Sequence, residues 1–139
     1  MTKLAFFDTN ILVCADDVSV PKKQTQAIGL VAEHQRVGSM AISLQVMQEY
    51  YAAATRKLGV DPELAQRKVE ILARGRVVRF SEDDVIAAIE LHRLKQLSFW
   101  DALIVHAARL SAAPVLYTED LQDGACFGSV TVVNPFRNS

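Results

Sequence analysis

The sequence feature that most constrains the fold is a short apolar run close to the N-terminus that ends directly at an acid. Residues 4–7 read Leu-Ala-Phe-Phe, and Asp8 follows them within the stretch Lys-Leu-Ala-Phe-Phe-Asp-Thr-Asn of residues 3–10. An apolar run that stops at polar residues is typical of a strand buried on both faces, as in parallel sheets. Ligands of open α/β sheets bind beyond the carboxyl ends of the strands. Asp8 therefore has two interpretations at this point, a ligand-binding acid and the N-cap of the next helix.

Short apolar runs alternate with helical stretches along the rest of the chain. Strands are predicted at residues 3–7, 39–42, 77–80, 115–117 and 129–133. Helices are predicted around residues 11–13, at residues 22–37, and from the capping positions 43, 61, 81 and 98 to residues 56, 74, 95 and 110. This alternation indicates βαβ units. We expect an α/β fold with a mainly parallel sheet of four to five strands flanked by helices, in a single domain that spans residues 1–139.

Composition restricts the class of protein further. Half of the 139 residues are hydrophobic and 22% are charged, which excludes a disordered or fibrous chain. The longest apolar runs fall well short of the roughly 20 residues that cross a membrane, and the N-terminus lacks a signal-peptide pattern. We therefore expect a cytoplasmic protein. Cys14 and Cys126 match no metal-binding spacing, and we expect both to be buried thiols.

One acid lies on the apolar face of a predicted helix. Val46, Glu49, Tyr50 and Ala53 follow one another at i, i+3, i+4 and i+7, so they share one side of the helix that begins after Ser43. A glutamate in such a stripe is costly unless a partner compensates its charge. The alternative is that Glu49 lies at the edge of the stripe, where it reaches water or an arginine.

Asp101 opens a helix that is apolar almost all round. An acid in the first turn complements the helix dipole, and Ser98 with Asp101 fits a capping-box pattern. A purely structural role is therefore sufficient to explain Asp101. Both roles are compatible, because a helix that begins beside the carboxyl edge of the sheet would bring Asp101 close to Asp8.

Asp120 follows the predicted strand at residues 115–117, so it is expected at the same edge of the sheet as Asp8. Glu119 is the competing acid at this place. Thr118 is expected either to cap the following turn or to hydrogen-bond to a water of the site.

Together, two acids after strands and two on flanking helices predict a cluster of carboxylates. Carboxylates held close together repel one another, and a hard divalent cation relieves that repulsion. An all-oxygen set suits Mg²⁺ or Mn²⁺ and not zinc, and two-metal carboxylate sites typically hydrolyse phosphodiesters.

The net charge of −1 gives no basic footprint for nucleic acid. With four of the 16 acids committed to metal, however, 12 would remain against 15 basic residues.

Four segments that carry these acids resemble the acidic motifs of the PIN domain, in order and in spacing. They are Asp8-Thr9-Asn10, Gln48-Glu49-Tyr50, the stretch Ser-Phe-Trp-Asp-Ala-Leu-Ile at residues 98–104, and the stretch Thr-Glu-Asp-Leu-Gln-Asp-Gly at residues 118–124. The similarity is greatest to the VapC-type ribonuclease toxins of bacterial toxin–antitoxin pairs, and it covers almost the whole chain.

The resemblance implies a Rossmann-like PIN fold and a Mg²⁺- or Mn²⁺-dependent endoribonuclease. It also implies a homodimer and regulation by a cognate antitoxin protein whose segment covers the site. Carried over by residue, it assigns catalysis and metal binding to four acids and support by hydrogen bonds to three neighbours. The acids are Asp8, Glu49, Asp101 and Asp120, with Asp120 favoured over Glu119, and the supporting residues are Thr9, Asn10 and Thr118.

The sequence excludes two other classes of protein. A haloacid-dehalogenase-like phosphatase needs an acid where this chain has Asn10, and a response-regulator receiver needs an acidic pair ahead of Asp8, which this chain lacks. A non-catalytic or housekeeping PIN-fold module that binds or processes RNA remains open, although no acid of the four motifs is missing.

Two further groups of polar residues have no clear place in the predicted site. The three histidines are predicted to have structural roles, since none is near the four motifs in sequence. Five basic residues could meet phosphate or the antitoxin but are more simply explained as a solvated face: Arg74, Arg76, Arg79, Arg93 and Lys95.

Overall fold

A computed structural model describes residues 2–137 of the chain as an alternation of short strands and helices. In chain order the strands are β1 (Ala5–Phe7), β2 (Met40–Ser43), β3 (Arg76–Val78), β4 (Val115–Tyr117), β5 (Cys126–Phe127) and β6 (Val130–Val133). The helices are α1 (Thr9–Cys14), α2 (Pro21–Val37), α3 (Leu44–Arg56), α4 (Pro62–Leu72), α5 (Glu82–Lys95) and α6 (Phe99–Ser111). Helix α1 packs on α2 and α3, and α3 packs on α4, whereas α5 packs on α6, and α6 lies against β2, β3, β4 and β6.

The strands form one mainly parallel sheet in the order β3-β2-β1-β4-β6-β5. All neighbouring pairs are parallel except β5 and β6. The predicted α/β fold with a mainly parallel sheet is therefore confirmed. The predicted number of four to five strands is too low, because the described residues form six. The strand that was not predicted, β5, has two residues, which is too short to show any hydrophobic periodicity.

The order of the strands reverses at β1. The chain leaves β1 towards β2 and β3, and then returns to the opposite side of β1 to add β4 and β6. A backbone hydrogen bond of 3.0 Å from the Asp8 N–H to the Tyr117 carbonyl joins the ends of β1 and β4. Open α/β sheets bind ligands in the crevice beyond such a switch point. The fold therefore predicts a ligand site next to the residues that follow β1 and β4.

Strands β1 and β2 are completely buried, which explains their mostly apolar sequence. Every residue of β1 and of β2 is buried, and Phe6, Phe7 and Ile42 are at most 1% exposed. The Phe7 ring also packs edge-to-face on His34 and Tyr117. Close packing on both faces fixes the end of β1, and Asp8 is therefore held in place by the core.

Details of the sequence-based assignment differ from the structure at several places. Strand β3 covers Arg76–Val78, whereas residues 77–80 were predicted, and α2 begins one residue early because Pro21 takes its first position. Cys14 is buried as predicted, but the prediction of a buried thiol is wrong for Cys126, which lies exposed on β5. Among residues 2–137, no helix is both long enough and apolar enough to cross a lipid bilayer.

Candidate active site

Asp8 has the helix-capping role that the sequence allowed, and it also lies directly after β1, at the switch point of the sheet. It is the N-cap of α1, where its Oδ1 accepts the Thr9 N–H at 2.7 Å. Its other carboxylate oxygen accepts the Thr118 hydroxyl at 2.8 Å and the Asn10 amide at 3.4 Å. The residue is 6% exposed. The carboxylate is thus both a helix cap and a fixed group at the switch point.

Burial makes the charge of Asp8 costly. The pKa of this carboxyl is raised from 3.8 to about 6, mainly by burial and also by the nearby Asp120 and Glu49 carboxylates, while the hydrogen bonds from Thr118 and Thr9 act in the opposite direction. Strong shifts caused by burial and like charges are typical of functional sites. The carboxylate therefore gains from any cation that compensates its charge.

Thr118 connects the ends of β1 and β4 through its side chain. This buried hydroxyl donates to Asp8, and it accepts the Asn10 amide at 3.1 Å and the Asp120 N–H at 3.1 Å. The Asn10 carbonyl oxygen in turn accepts the Glu119 N–H at 3.4 Å. One donated and two accepted bonds use the full capacity of a hydroxyl. The network therefore fixes the loop after β4 relative to Asp8.

Glu49 lies in the middle of α3 and reaches the first residue of α1. Helix α3 begins after Ser43, whose hydroxyl accepts the Val46 N–H at 3.3 Å. The Glu49 carboxylate accepts the Thr9 hydroxyl at 2.7 Å and the Gln45 amide at 3.3 Å. These neutral partners orient the carboxylate without removing its charge. The alternative in which Glu49 meets an arginine is not what the structure shows.

Asp101 occupies the first turn of α6. Ser98 caps this helix by accepting the Asp101 N–H at 3.0 Å. Burial raises the pKa of the Asp101 carboxyl, and the Asp120 and Glu49 carboxylates raise the pKa in the same direction. Asp101 of α6 therefore lies close enough to Asp120, after β4, and to Glu49 of α3 for their charges to interact.

The two acids after β4 point to different surroundings. Glu119 forms an ion pair of 2.5 Å with Lys23 of α2. Asp120 is exposed and lines the same cleft as Asp8. Of the two acids, Asp120 is therefore the one that lines the cleft.

All four predicted acids line one cleft of about 540 Å³ at the carboxyl edge of the sheet. Within residues 2–137 none of the four forms an ion pair with a lysine, arginine or histidine. The cleft is lined by Asp8, Thr9, Asn10, Val13, Gln45, Glu49, Ala52, Ala53, Arg56, Lys57, Trp100, Asp101, Ile104 and Asp120. Thr118 lies behind this wall and supports it.

Eight residues of this lining were not predicted to belong to the site, and four of them carry polar or aromatic side chains. Gln45 and Arg56 lie four residues before and seven residues after Glu49, a spacing that places all three on one helix face. The helical period could therefore have identified both. Trp100 precedes Asp101 and is 62% exposed, which is unusual for so large an apolar side chain. Lys57 follows the end of α3, where no sequence pattern indicates its direction.

The donor set suits a hard divalent cation in its chemistry. Four carboxylates provide oxygen ligands, and no histidine or cysteine lines the cleft within the described chain. The acids are nevertheless spread around the cleft: in residues 2–137 no three histidine, cysteine, aspartate or glutamate side chains are grouped closely enough to hold a metal ion. The type of ligand therefore fits Mg²⁺ or Mn²⁺, while the spacing of the side chains is wider than that of a closed metal cage.

A second groove, of about 350 Å³, lies between α1, α2, α3 and α4. It is mostly apolar, and its charged pair Asp16 and Lys68 is mutually compensated by a salt bridge. The Tyr50 hydroxyl also donates to Asp16. The charges of this pair therefore compensate each other, whereas the four acids of the first cleft have no ion-pair partner in residues 2–137.

The remaining polar residues that the sequence singled out lie outside the acidic cleft. His34 and His92 bond to backbone carbonyls, of Ser39 and Leu97, and His106 bonds to Asp84 at 3.0 Å. The five basic residues of the predicted solvated face are also absent from the lining of the cleft, which instead contains Arg56 and Lys57.

The comparison with known families agrees with the fold. The PIN domain family matches residues 5–122, so the chain belongs to the PIN domain family. PIN domains are nucleases as a class. The family predicted from the four acidic motifs is thereby confirmed. Among curated proteins no significant match was found.

Solved structures extend the comparison to almost the whole chain. A chain of a toxin–antitoxin complex from Klebsiella pneumoniae is 26% identical, with a TM-score of 0.69 over 95% of this chain and 98% of that one. The Sarcin-Ricin loop cleaving toxin VapC20 of Mycobacterium tuberculosis is 20% identical, with a TM-score of 0.66 over 84% and 91%.

A third structure has the same fold. It is VapBC2 from Rickettsia felis bound to a DNA fragment from its promoter, which is 21% identical with a TM-score of 0.62 over 93% of this chain and 96% of that one. The predicted similarity to VapC-type proteins is therefore confirmed for the fold.

Proposed function

We propose that this protein is a metal-dependent endoribonuclease that hydrolyses RNA phosphodiester bonds. The observation that carries the proposal is the convergence of Asp8, Glu49, Asp101 and Asp120 on one cleft without compensating ion pairs in residues 2–137. Membership of a nuclease family supports the same conclusion. The fold positions the acids where α/β sheets bind their ligands.

In this proposal each residue of the site has a separate task. Asp8, Glu49, Asp101 and Asp120 would hold Mg²⁺ or Mn²⁺. A bound divalent cation would supply an activated water and neutralise the charge that develops on the phosphate. Thr118 and Asn10 keep Asp8 and the loop after β4 in register, and Thr9 orients Glu49.

The direct test is cleavage of a mixed cellular RNA pool by purified protein with Mg²⁺ or Mn²⁺, and again with EDTA. Asp8→Asn should reduce cleavage by about 100-fold or more, because it removes a charged ligand while the helix cap and the shape are retained. Glu63→Gln is a matched control, since Glu63 is an exposed acid of α4 outside the cleft. Equal cleavage by wild type and Asp8→Asn would refute the assignment.

We also propose that the protein is the cytoplasmic toxin of a toxin–antitoxin pair. The likeness to a chain of a toxin–antitoxin complex over almost its full length supports this role and a cognate antitoxin as partner. Expression of the wild-type protein alone should then arrest growth of the host cell, and expression of Asp8→Asn should not. Growth at the normal rate with confirmed wild-type expression and RNA cleavage in vitro would instead favour a housekeeping nuclease.

A homodimer belongs to the same proposal. Many large apolar side chains are exposed in a chain of this length, with Leu94 at 79% and Val18 at 76%. Such surface is commonly covered by association. A monomeric mass in light scattering at micromolar concentration would contradict this part of the proposal.

The alternative function is a non-catalytic or housekeeping PIN-fold module that binds or processes RNA. The wide spacing of the four acids favours it, because no three of them in the described chain enclose a cation site. Binding of RNA without cleavage at any metal concentration would support this alternative.

A further inference from the structure

Trp100 lies at the mouth of the acidic cleft and is exposed to an unusual degree. The side chain lines the cleft, is 62% exposed, and immediately precedes Asp101 at the start of α6. The Phe99 ring contacts the indole edge-to-face, with ring centroids 5.3 Å apart. The indole thus has an aromatic neighbour and a large accessible surface next to the proposed reaction site. Burial in the described part of the chain does not explain a tryptophan at this position.

The C-terminal end of helix α3 contributes positive charge to the same cleft, through Arg56 and the following Lys57. Gln45, Glu49 and Arg56 share one face of this helix, and the small residues Ala52 and Ala53 between them leave the cleft open. Arg56 lies two turns beyond Glu49, which is about 10 Å along the helix axis. The cleft therefore changes from acidic to basic along α3.

Arg56 and Lys57 have no acidic partner in the described chain. Both side chains are exposed, and neither takes part in an ion pair within residues 2–137. Unpaired cations in a cleft attract the phosphate backbone of a nucleic acid. Because they stand apart from the acids, they can contact a phosphate that neighbours the scissile one.

We propose that Trp100, Arg56 and Lys57 position the RNA substrate: an unpaired base stacks on the Trp100 indole, and a neighbouring phosphate contacts Arg56 and Lys57. This inference rests on the proposed ribonuclease function and names the residues of this chain that hold the substrate. Aromatic side chains beside a basic groove are the usual means of holding single strands, because every base presents a flat face. The base faces in a duplex are already stacked on one another, so a paired strand cannot use the indole.

The first experiment uses the fluorescence of Trp100, which is the single tryptophan of the sequence. The Asp8→Asn protein is titrated in Mg²⁺ with an RNA of about 12 nucleotides that cannot pair with itself, and with the same strand annealed to its complement. Stacking predicts saturable quenching by the single strand, with an affinity at least about 10-fold weaker for the duplex. Equal quenching by both forms, or none by the single strand, would overturn the proposal.

The second experiment measures affinity by anisotropy of the labelled single strand. In the Asp8→Asn background, Trp100→Ala should weaken binding by about 10-fold and Trp100→Phe by less. Tyr51→Ala is the matched control, since Tyr51 is an exposed aromatic residue of α3 that does not line the cleft. Unchanged affinity of Trp100→Ala would contradict the stacking role.

The proposed phosphate contacts of Arg56 and Lys57 are tested by the salt dependence of binding of the labelled single strand. Arg56→Ala and Lys57→Ala should each lower the slope of log affinity against log salt concentration by about 0.7. Arg74→Ala, which changes an exposed arginine outside the cleft, should leave the slope unchanged. Identical slopes for all three variants would exclude the proposed phosphate contacts.

The results separate this inference from the proposed function. If wild-type protein cleaves RNA but Trp100→Ala binds and cleaves as the parent protein does, the nuclease assignment stands and the stacking inference fails. If the protein does not cleave RNA but the single strand still quenches Trp100, the stacking inference stands and the catalytic assignment fails.

Discussion

Asp8 shows how a site residue can be held firmly and still be costly to the fold. Its three hydrogen-bond donors, from Thr9, Asn10 and Thr118, restrict the carboxylate to one position. Its burial, together with the neighbouring acids, makes the ionised form unfavourable. The unfavourable ionisation and the fixed position of the carboxylate have the same origin, because both result from its burial at the edge of the sheet, away from water.

This cost predicts an unusual dependence of stability on pH in the metal-free protein. The pKa of Asp8 is about 6 in the folded state, against an ordinary value of 3.8 in an unfolded chain. Asp8 therefore stays protonated to a higher pH in the folded state than in the unfolded chain. Asp8 should therefore contribute a loss of about 3 kcal/mol in unfolding free energy as pH rises from 3.8 to about 6, and nothing further above that range. Asp101, with its raised pKa, acts in the same direction.

Urea unfolding of metal-free wild type and Asp8→Asn at several values between about pH 4 and 7.5 measures the contribution of Asp8. The asparagine variant should lack this part of the slope and be the more stable protein at neutral pH. Parallel stability curves for the two proteins would show that Asp8 is not buried as a costly anion.

At the scale of elements, helix ends place two of the four acids. Ser98 caps α6 and so fixes the first turn that contains Asp101, while Ser43 caps α3 and fixes the turn before Glu49. Helix caps contribute to stability at any position in a protein. The Ser98 cap lies beside the cleft and should also affect RNA cleavage, because it fixes the position of Asp101, a proposed metal ligand.

Two exposed serine caps allow this second effect to be isolated. Ser98→Ala and Ser81→Ala, at the starts of α6 and α5, should each lower the unfolding free energy by about 1 kcal/mol. Only Ser98→Ala should also reduce RNA cleavage, because α5 contributes no residue to the cleft within the described chain. Equal cleavage by the two variants at a temperature where both are folded would contradict a positioning role for the α6 cap.

For the whole molecule, the strand order decides where the acids meet. Strand β1 lies between β2 and β4, so residues separated by more than a hundred positions, such as Asp8 and Asp120, reach the same cleft. Helices α3 and α6 then bring Glu49 and Asp101 to its walls. The site therefore exists only in the complete fold, and a ligand of the cleft should stabilise the whole chain.

Addition of Mg²⁺ or Mn²⁺ should thus raise the melting temperature. A metal concentration of about 100 times Kd stabilises the folded state by about 2.7 kcal/mol, which corresponds to roughly 10 °C for a chain of this size. Asp8→Asn should lose most of this shift, and Glu63→Gln should retain it. Calorimetry that shows the same shift in all three proteins would indicate metal binding elsewhere.

The sequence by itself determined most of the elements and the family. Continuous apolar runs mark β1 and β2 because both are buried on both faces, and caps such as Ser43 and Ser98 mark helix starts because their hydroxyls accept free N–H groups. The four acids could be named because each is poorly explained by its local pattern or belongs to a motif. These signals come from residues that are close together in the chain, so a single sequence is sufficient to detect them.

Other features were decided by the tertiary structure alone. The two residues of β5 are too few to form a pattern, and the exposure of Cys126 depends on the edge position of that strand. The choice between Asp120 and Glu119 depends on Lys23, which lies about a hundred residues away in the chain. Lys57 and Trp100 reach the cleft through the packing of α3 and α6 around the sheet. Contacts between distant segments have no local signature, and for that reason only the folded chain shows them.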